Sequence, residues 1–145
     1  MNIPRDTANL IQRVIDNLSQ LHVNIEQAAQ TAAVQTLRAA AQLTTSYVNS
    51  SSVSVEHFDK ASLLIAFTKG SLTSCEIQIQ FSPDNSTWYT ETDAAYSGHS
   101  VIEHVFTDSG NYVLGIDLAD KYVRVRAKGT GTVTDSSLAV YLSGR

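Results

Sequence analysis

The chain has 145 residues, 43% of them hydrophobic, which is enough for one core and one appendage but not for two independent globular domains. Ten Lys and Arg stand against 14 Asp and Glu, for a net charge of −4, so nothing draws the protein toward phosphate backbones or anionic lipid, and a nucleic-acid reader is argued against. The start, MNIPRDTANLIQ, lacks the parts of a secretory signal, and no apolar run approaches the ~20 residues that span a bilayer. The expectation is a protein made in a cytoplasm, with no membrane partner. The one cysteine, Cys75, permits no intrachain disulfide, which suits that compartment.

From residue 5 to 45 there is neither glycine nor proline, and Ala, Gln, Leu and Ile dominate. The composition predicts one long helix or two, and residues 1–45 are read as a helical anchor or oligomerisation segment. Ile11, Val14, Leu18, Leu21, Ile25, Ala28 and Ala32 recur at spacings of three and four, a narrow apolar stripe along one side. At 1.5 Å per residue such a helix would be roughly 60 Å long. A sandwich built from the remainder of the chain could not cover it. The stripe therefore predicts self-association, as a homotrimer, or docking on a larger assembly; the alternative is a hairpin folded back on the rest of the chain. Few charges flank the stripe (Arg13, Asp16, Glu26, Arg38), so the ion pairs that specify a free-standing coiled coil are sparse.

Residues 46–58 are Ser-rich and read as a linker or an irregular strand. Over 59–145 the period becomes two. Leu63, Ile65 and Phe67 share a face; so do Cys75, Ile77, Ile79 and Phe81, with Glu76, Gln78 and Gln80 opposite. The pattern returns with Tyr112, Leu114, Ile116 and Leu118, with Val123, Val125 and Ala127, and with Leu138, Val140 and Leu142. The segment VIEHVFT is a further strand with no clear face. Turn sequences such as TKGS, SPDNS, TDSGN and KGTGTV lie between, the cadence of an antiparallel, mainly β sandwich preceded by a helix.

In SPDNSTWY, Pro83, Asp84, Asn85 and Ser86 are tight-turn residues, and Trp88 opens the next strand, where the sandwich edge or core is its most economical place. The strand ending QIQFSPDNSTWY, the later DKYVRVRAKGTG and a last apolar strand resemble the jelly-roll sandwich of discoidin-type and carbohydrate-binding modules, with their S-x-D-x-x-x-W turn. They resemble still more the small jelly-roll accessory proteins of tailed-phage particles. The resemblance runs from Ala61 to Gly144. It implies a jelly-roll fold and a structural role in a virion, as capsid decoration, head fibre or neck and tail accessory, with other virion proteins as partners. The carbohydrate-binding likeness implies a glycan instead, stacked on Trp88, Tyr89 and Tyr96.

Catalytic chemistry finds no carrier in the sequence. His22, His57, His99 and His104 lack metal-ligand spacing, Cys75 alternates with core positions, and no G-x-S-x-G elbow occurs. The carboxylates Asp84, Glu91, Asp93, Asp108, Asp117, Asp120 and Asp135 fall mostly in loops, where turn chemistry competes with calcium ligation. No metal, cofactor or catalytic residue is expected. On the strand KYVRVRAK, the inward valines force Tyr122, Arg124, Arg126 and Lys128 to the other face. That basic stripe is either a charged face protecting an edge strand or a docking surface for an acidic neighbour.

Overall fold

The computed structural model describes residues 5–30, 33–93 and 98–145, with helix side chains over 6–21. Helix α1 runs Arg5–Gln30; Asp6 lies in its first turn, against the positive end of the helix dipole, and Gln12 donates to Asp16 one turn on, at 3.0 Å. Among the described residues ten strands follow: β1 Ala33–Ala41, β2 Val48–Asn49, β3 Val53–Ser54, β4 Ala61–Thr68, β5 Leu72–Ser82, β6 Tyr89–Thr90, β7 His104–Phe106, β8 Gly110–Ile116, β9 Tyr122–Gly131 and β10 Ser137–Gly144. The chain divides into two compact units, Met1–Ala32 and Ala33–Arg145.

The strands form two antiparallel sheets, one in the order β1-β10-β4-β8 (sheet A) and the other β2-β9-β5-β6, with β3 also on β9 and β7 also on β5 (sheet B). Most successive connections cross from one sheet to the other, and the first strand of the sandwich pairs with the last. This is the strand order of a jelly roll. The core lies between the sheets: Leu63, Ile65 and Phe67 of β4 and Leu138, Val140 and Leu142 of β10 meet Cys75, Ile77 and Ile79 of β5 and Val123, Val125 and Ala127 of β9. All of these are residues that the period-two pattern set inward, and each large aliphatic among them contributes about 1.5–3 kcal/mol by leaving water. Tyr112, Leu114, Ile116 and Leu118 pack against this cluster, half-buried. So does Phe106 of β7, which gives VIEHVFT the face that its sequence does not show.

The helix is shorter than its composition predicts. It ends at Gln30, and residues 33–41, rich in alanine, form β1 along β10. Helix propensity favours the alternative by only tenths of a kcal/mol per residue, less than a ladder of hydrogen bonds and the burial of Leu37, 2% exposed, provide. The ladder shifts register on either side of Arg38. There the guanidinium fills the gap, donating to the carbonyls of Leu138 (3.1 Å) and Gln42 (3.0 Å). The 46–58 segment likewise belongs to the sandwich, because β2 and β3 pair with β9 and Val55 is buried.

The turn after β5 is built as its residues dictate. The Asp84 carboxylate accepts from the backbone N–H groups of Ser86 (2.9 Å) and Thr87 (2.8 Å) and from the Ser82 hydroxyl (3.0 Å), and Asn85 adopts φ 59°. These three donors hold the Asp84 carboxyl below its ordinary range. At the opposite end of the sandwich, Gly70 takes φ 56°, and a Cβ there would stand 2.4 Å from the Asp135 backbone, so only glycine closes that turn.

Candidate functional site

Residues of the predicted stripe on α1 are open to solvent: Ile11 and Val14 are each 49% exposed, Leu18 61% and Leu21 55%. Leu10 and Ile15 are as exposed as these, and they widen the stripe on either side of Ile11 and Val14. Neither is a member of the three-and-four series that marks the stripe in the sequence. The side chains of Ile25, Ala28 and Ala32 lie outside the described residues, although the helical backbone continues through the first two.

The outer face of sheet B is a polar network. Alternation turns Glu76, Gln78 and Gln80 of β5 outward, yet each is more than nine-tenths buried. Their cover comes from β9, whose Lys128, Arg126 and Arg124 stand opposite them in register. Arg124 donates to Gln80 at 2.7 Å, and Glu76 accepts from Ser74 (2.6 Å) and Thr130 (2.9 Å). Tyr47 is a further residue that sequence reading misses. Its ring carries Arg126 and Lys128 at 5.0 and 4.9 Å from the centroid, and its hydroxyl donates to Glu103 at 2.5 Å. Burial first, then the Glu103 carboxylate, pushes the Tyr47 phenol well above its usual value. A lone aromatic in an uncharged, Ser-rich stretch was the available signal.

Tyr122, Arg124, Arg126 and Lys128 are all half-buried on this face. Strand β9 lies between β5 and the short strands β2 and β3, so the stripe does not guard an edge. Trp88 belongs here too rather than in the core. It precedes the edge strand β6, and the Arg124 guanidinium lies 4.2 Å from its ring centroid. The basic stripe and the tryptophan, separate candidates in the sequence, form one surface.

The neighbouring Tyr89 points the other way, as alternate residues of an extended chain must. It pairs with the inward Phe81 and remains 61% exposed, lining an open cleft of about 480 Å³ with Glu91, Ile102, Asp117 and Asp120. Glu91 accepts from or pairs with His104 at 3.1 Å, and Asp120 accepts from the Lys121 backbone at 2.8 Å. Trp88 and Tyr89 therefore cannot flank one ligand. Tyr96 lies outside the described residues. Among the described residues no group of His, Cys, Asp or Glu is placed to hold a metal ion, and no helix is long and apolar enough to cross a membrane.

No protein-family model matches the sequence, and no curated protein matches it. Among solved structures, the chain is similar to the crystal structure of PBSX exported protein XepA, with a TM-score of 0.53 and 13% identity. The likeness covers 80% of this chain and 37% of that one. At this identity it is a likeness of fold.

Proposed function

We propose that the chain is a non-enzymatic structural protein of a tailed-phage particle, a capsid decoration or cement protein, head fibre, or neck or tail accessory, whose copies associate through α1. The observation that carries the reading is the exposed stripe of Ile11, Val14, Leu18 and Leu21. Three to four apolar side chains per two turns, left in water, are a standing free-energy cost of about 25 cal/mol per Å2 that association removes. Ile11 and Leu18 take one heptad position and Val14 and Leu21 the other; Leu10 and Ile15 occupy the flanking positions where a two-stranded coil carries charges. A seam of that breadth fits three helices better than two. The fold likeness to an exported protein of the phage PBSX supports the phage setting.

The test is the mass of the full chain by light scattering. The expected result is an oligomer, three times 15.7 kDa, reduced to the single chain by Leu18→Asp with Leu21→Asp. A wild-type chain that stays single at every accessible concentration would remove the reading.

A second reading, binding of a host-surface glycan, rests on the exposed Tyr89 beside the cleft carboxylates, since sugars stack on aromatic faces and donate hydroxyls to acceptors. Glycan-array binding lost in Tyr89→Ala but kept in Arg124→Ala would support it. An array that stays blank for the wild-type chain would dismiss it.

A further inference from the structure

The two outer faces of the sandwich differ in charge. Sheet B presents Arg124, Arg126 and Lys128, with Glu76 largely buried among them. On sheet A, no Asp, Glu, Lys, Arg or His stands at an outward position of β4, β8 or β10, nor at Val34 or Thr36 of β1 ahead of its bulge. Register aligns Thr36 with Tyr141, Tyr141 with Leu64, and Leu64 with Val113. These four make one row across all four strands, about 15 Å long at the usual strand spacing. Val113 is 71% exposed and Val34 61%. Beside the row lies a shallow groove of about 370 Å³, lined by Leu64, Ala66, Val113 and Tyr141 with little polar surface.

We propose that this face of sheet A is a contact surface between copies of the chain, centred on Leu64, Val113 and Tyr141. Charge selects the occupant. Each copy carries −4, and two like-charged molecules approach closely where neither presents a charge; a partner of strongly acidic or basic character would instead be matched to sheet B. Connectivity favours the same occupant. Strand β1, an edge of sheet A, begins at Ala33, three residues after the last residue of α1. Copies gathered by α1 are thereby held at high effective concentration, where a weak sheet contact suffices. The inference rests on the self-association proposed above, and it adds a second surface that persists into the sandwich.

The experiment compares concentration-dependent masses of the full-length wild type, Val113→Glu, Leu64→Glu with Val113→Glu, and Leu18→Asp with Leu21→Asp. Val113 is exposed enough that its glutamate variant should melt like the wild type, which guards against a misfolded double variant. Every symmetric contact through the face would then bring like charges together, so Val113→Glu is expected to raise the dissociation constant tenfold or more. Weakening in both the face and the helix variants supports both surfaces. Monomers from the helix variant alone, with both glutamate variants matching the wild type, overturn the sheet contact and leave α1 standing. Dissociation by the face variants alone supports the sheet contact and overturns the α1 reading. A wild type that is single at all concentrations, as it would be with the apolar surfaces covered within one molecule, overturns both.

Discussion

Moving from about pH 8 to about pH 10 tests the packing of the core through one group. Cys75 faces inward on β5 and is 0% exposed; burial, with Glu76 adding to it and Arg38 opposing, pushes its thiol from the ordinary 9.0 up to about 12. In the unfolded chain the thiol ionises freely, so its linkage favours unfolding only at alkaline pH. Stability is whole below pH 9 and falls as pH rises from 9 toward 12. At about pH 10 the unfolded chain has lost most of its thiol protons and the folded chain almost none, a difference of about 1.4 kcal/mol. Urea melts of the wild type and Cys75→Ala isolate the effect, because every other titrating group, Tyr47 included, is common to both. Near pH 8 the alanine variant should be less stable by about 1 kcal/mol, for its lost packing. By pH 10 that deficit should vanish or reverse. A constant offset between the two across this range would show that the thiol is not held in the dry interior, as would labelling of native Cys75 by a thiol reagent as fast as in urea.

Gly70→Ala should cost about 2 kcal/mol or more, read as a lowered urea midpoint, since the residue combines positive φ with a Cβ position 2.4 Å from the Asp135 backbone; an unchanged midpoint would mean the turn is freer than drawn. Asp84→Ala should lower the melting temperature at neutral pH, and the gap should close as the pH falls below the ordinary carboxylate range, because a carboxyl held low in the fold stabilises only while ionised. A gap independent of pH would remove the three hydrogen bonds from the explanation. Trp88 is the one tryptophan, so Arg124→Ala should shift its fluorescence as the covering guanidinium leaves, at a stability cost of about 0.5–1 kcal/mol; emission identical to the wild type would displace Arg124 from the ring.

Strands β4, β5, β8, β9 and β10 were legible because each has one face in the core and one outside, the condition under which a period of two is written into the sequence. Strand β1 was not. AVQTLRAAA carries no alternation, and its state is decided by β10, a hundred residues away. Strands β2 and β3, two residues each, are too short to show any period. The α1 stripe is readable from its spacing of three and four, whereas Leu10 and Ile15 lie beside that series and show their part in its breadth only through their exposure. The outer face of sheet B was half legible: alternation placed Glu76, Gln78 and Gln80 outside, but their burial under the basic side chains of β9, and the meeting of Trp88 with Arg124 and of Tyr47 with Arg126, depend on cross-strand register.

The pairing of Ala33 with Gly144 puts the start and finish of the sandwich side by side. A cargo fused after Arg145 would leave from the same rim that receives the chain from α1. Foreign peptides meant for display belong at the far rim instead, in the bend around Asp108 and Ser109 where the chain crosses from β7 in sheet B to β8 in sheet A, and where an added segment would trail away from both tethers. The fold thus has one rim suited to attachment and another suited to presentation.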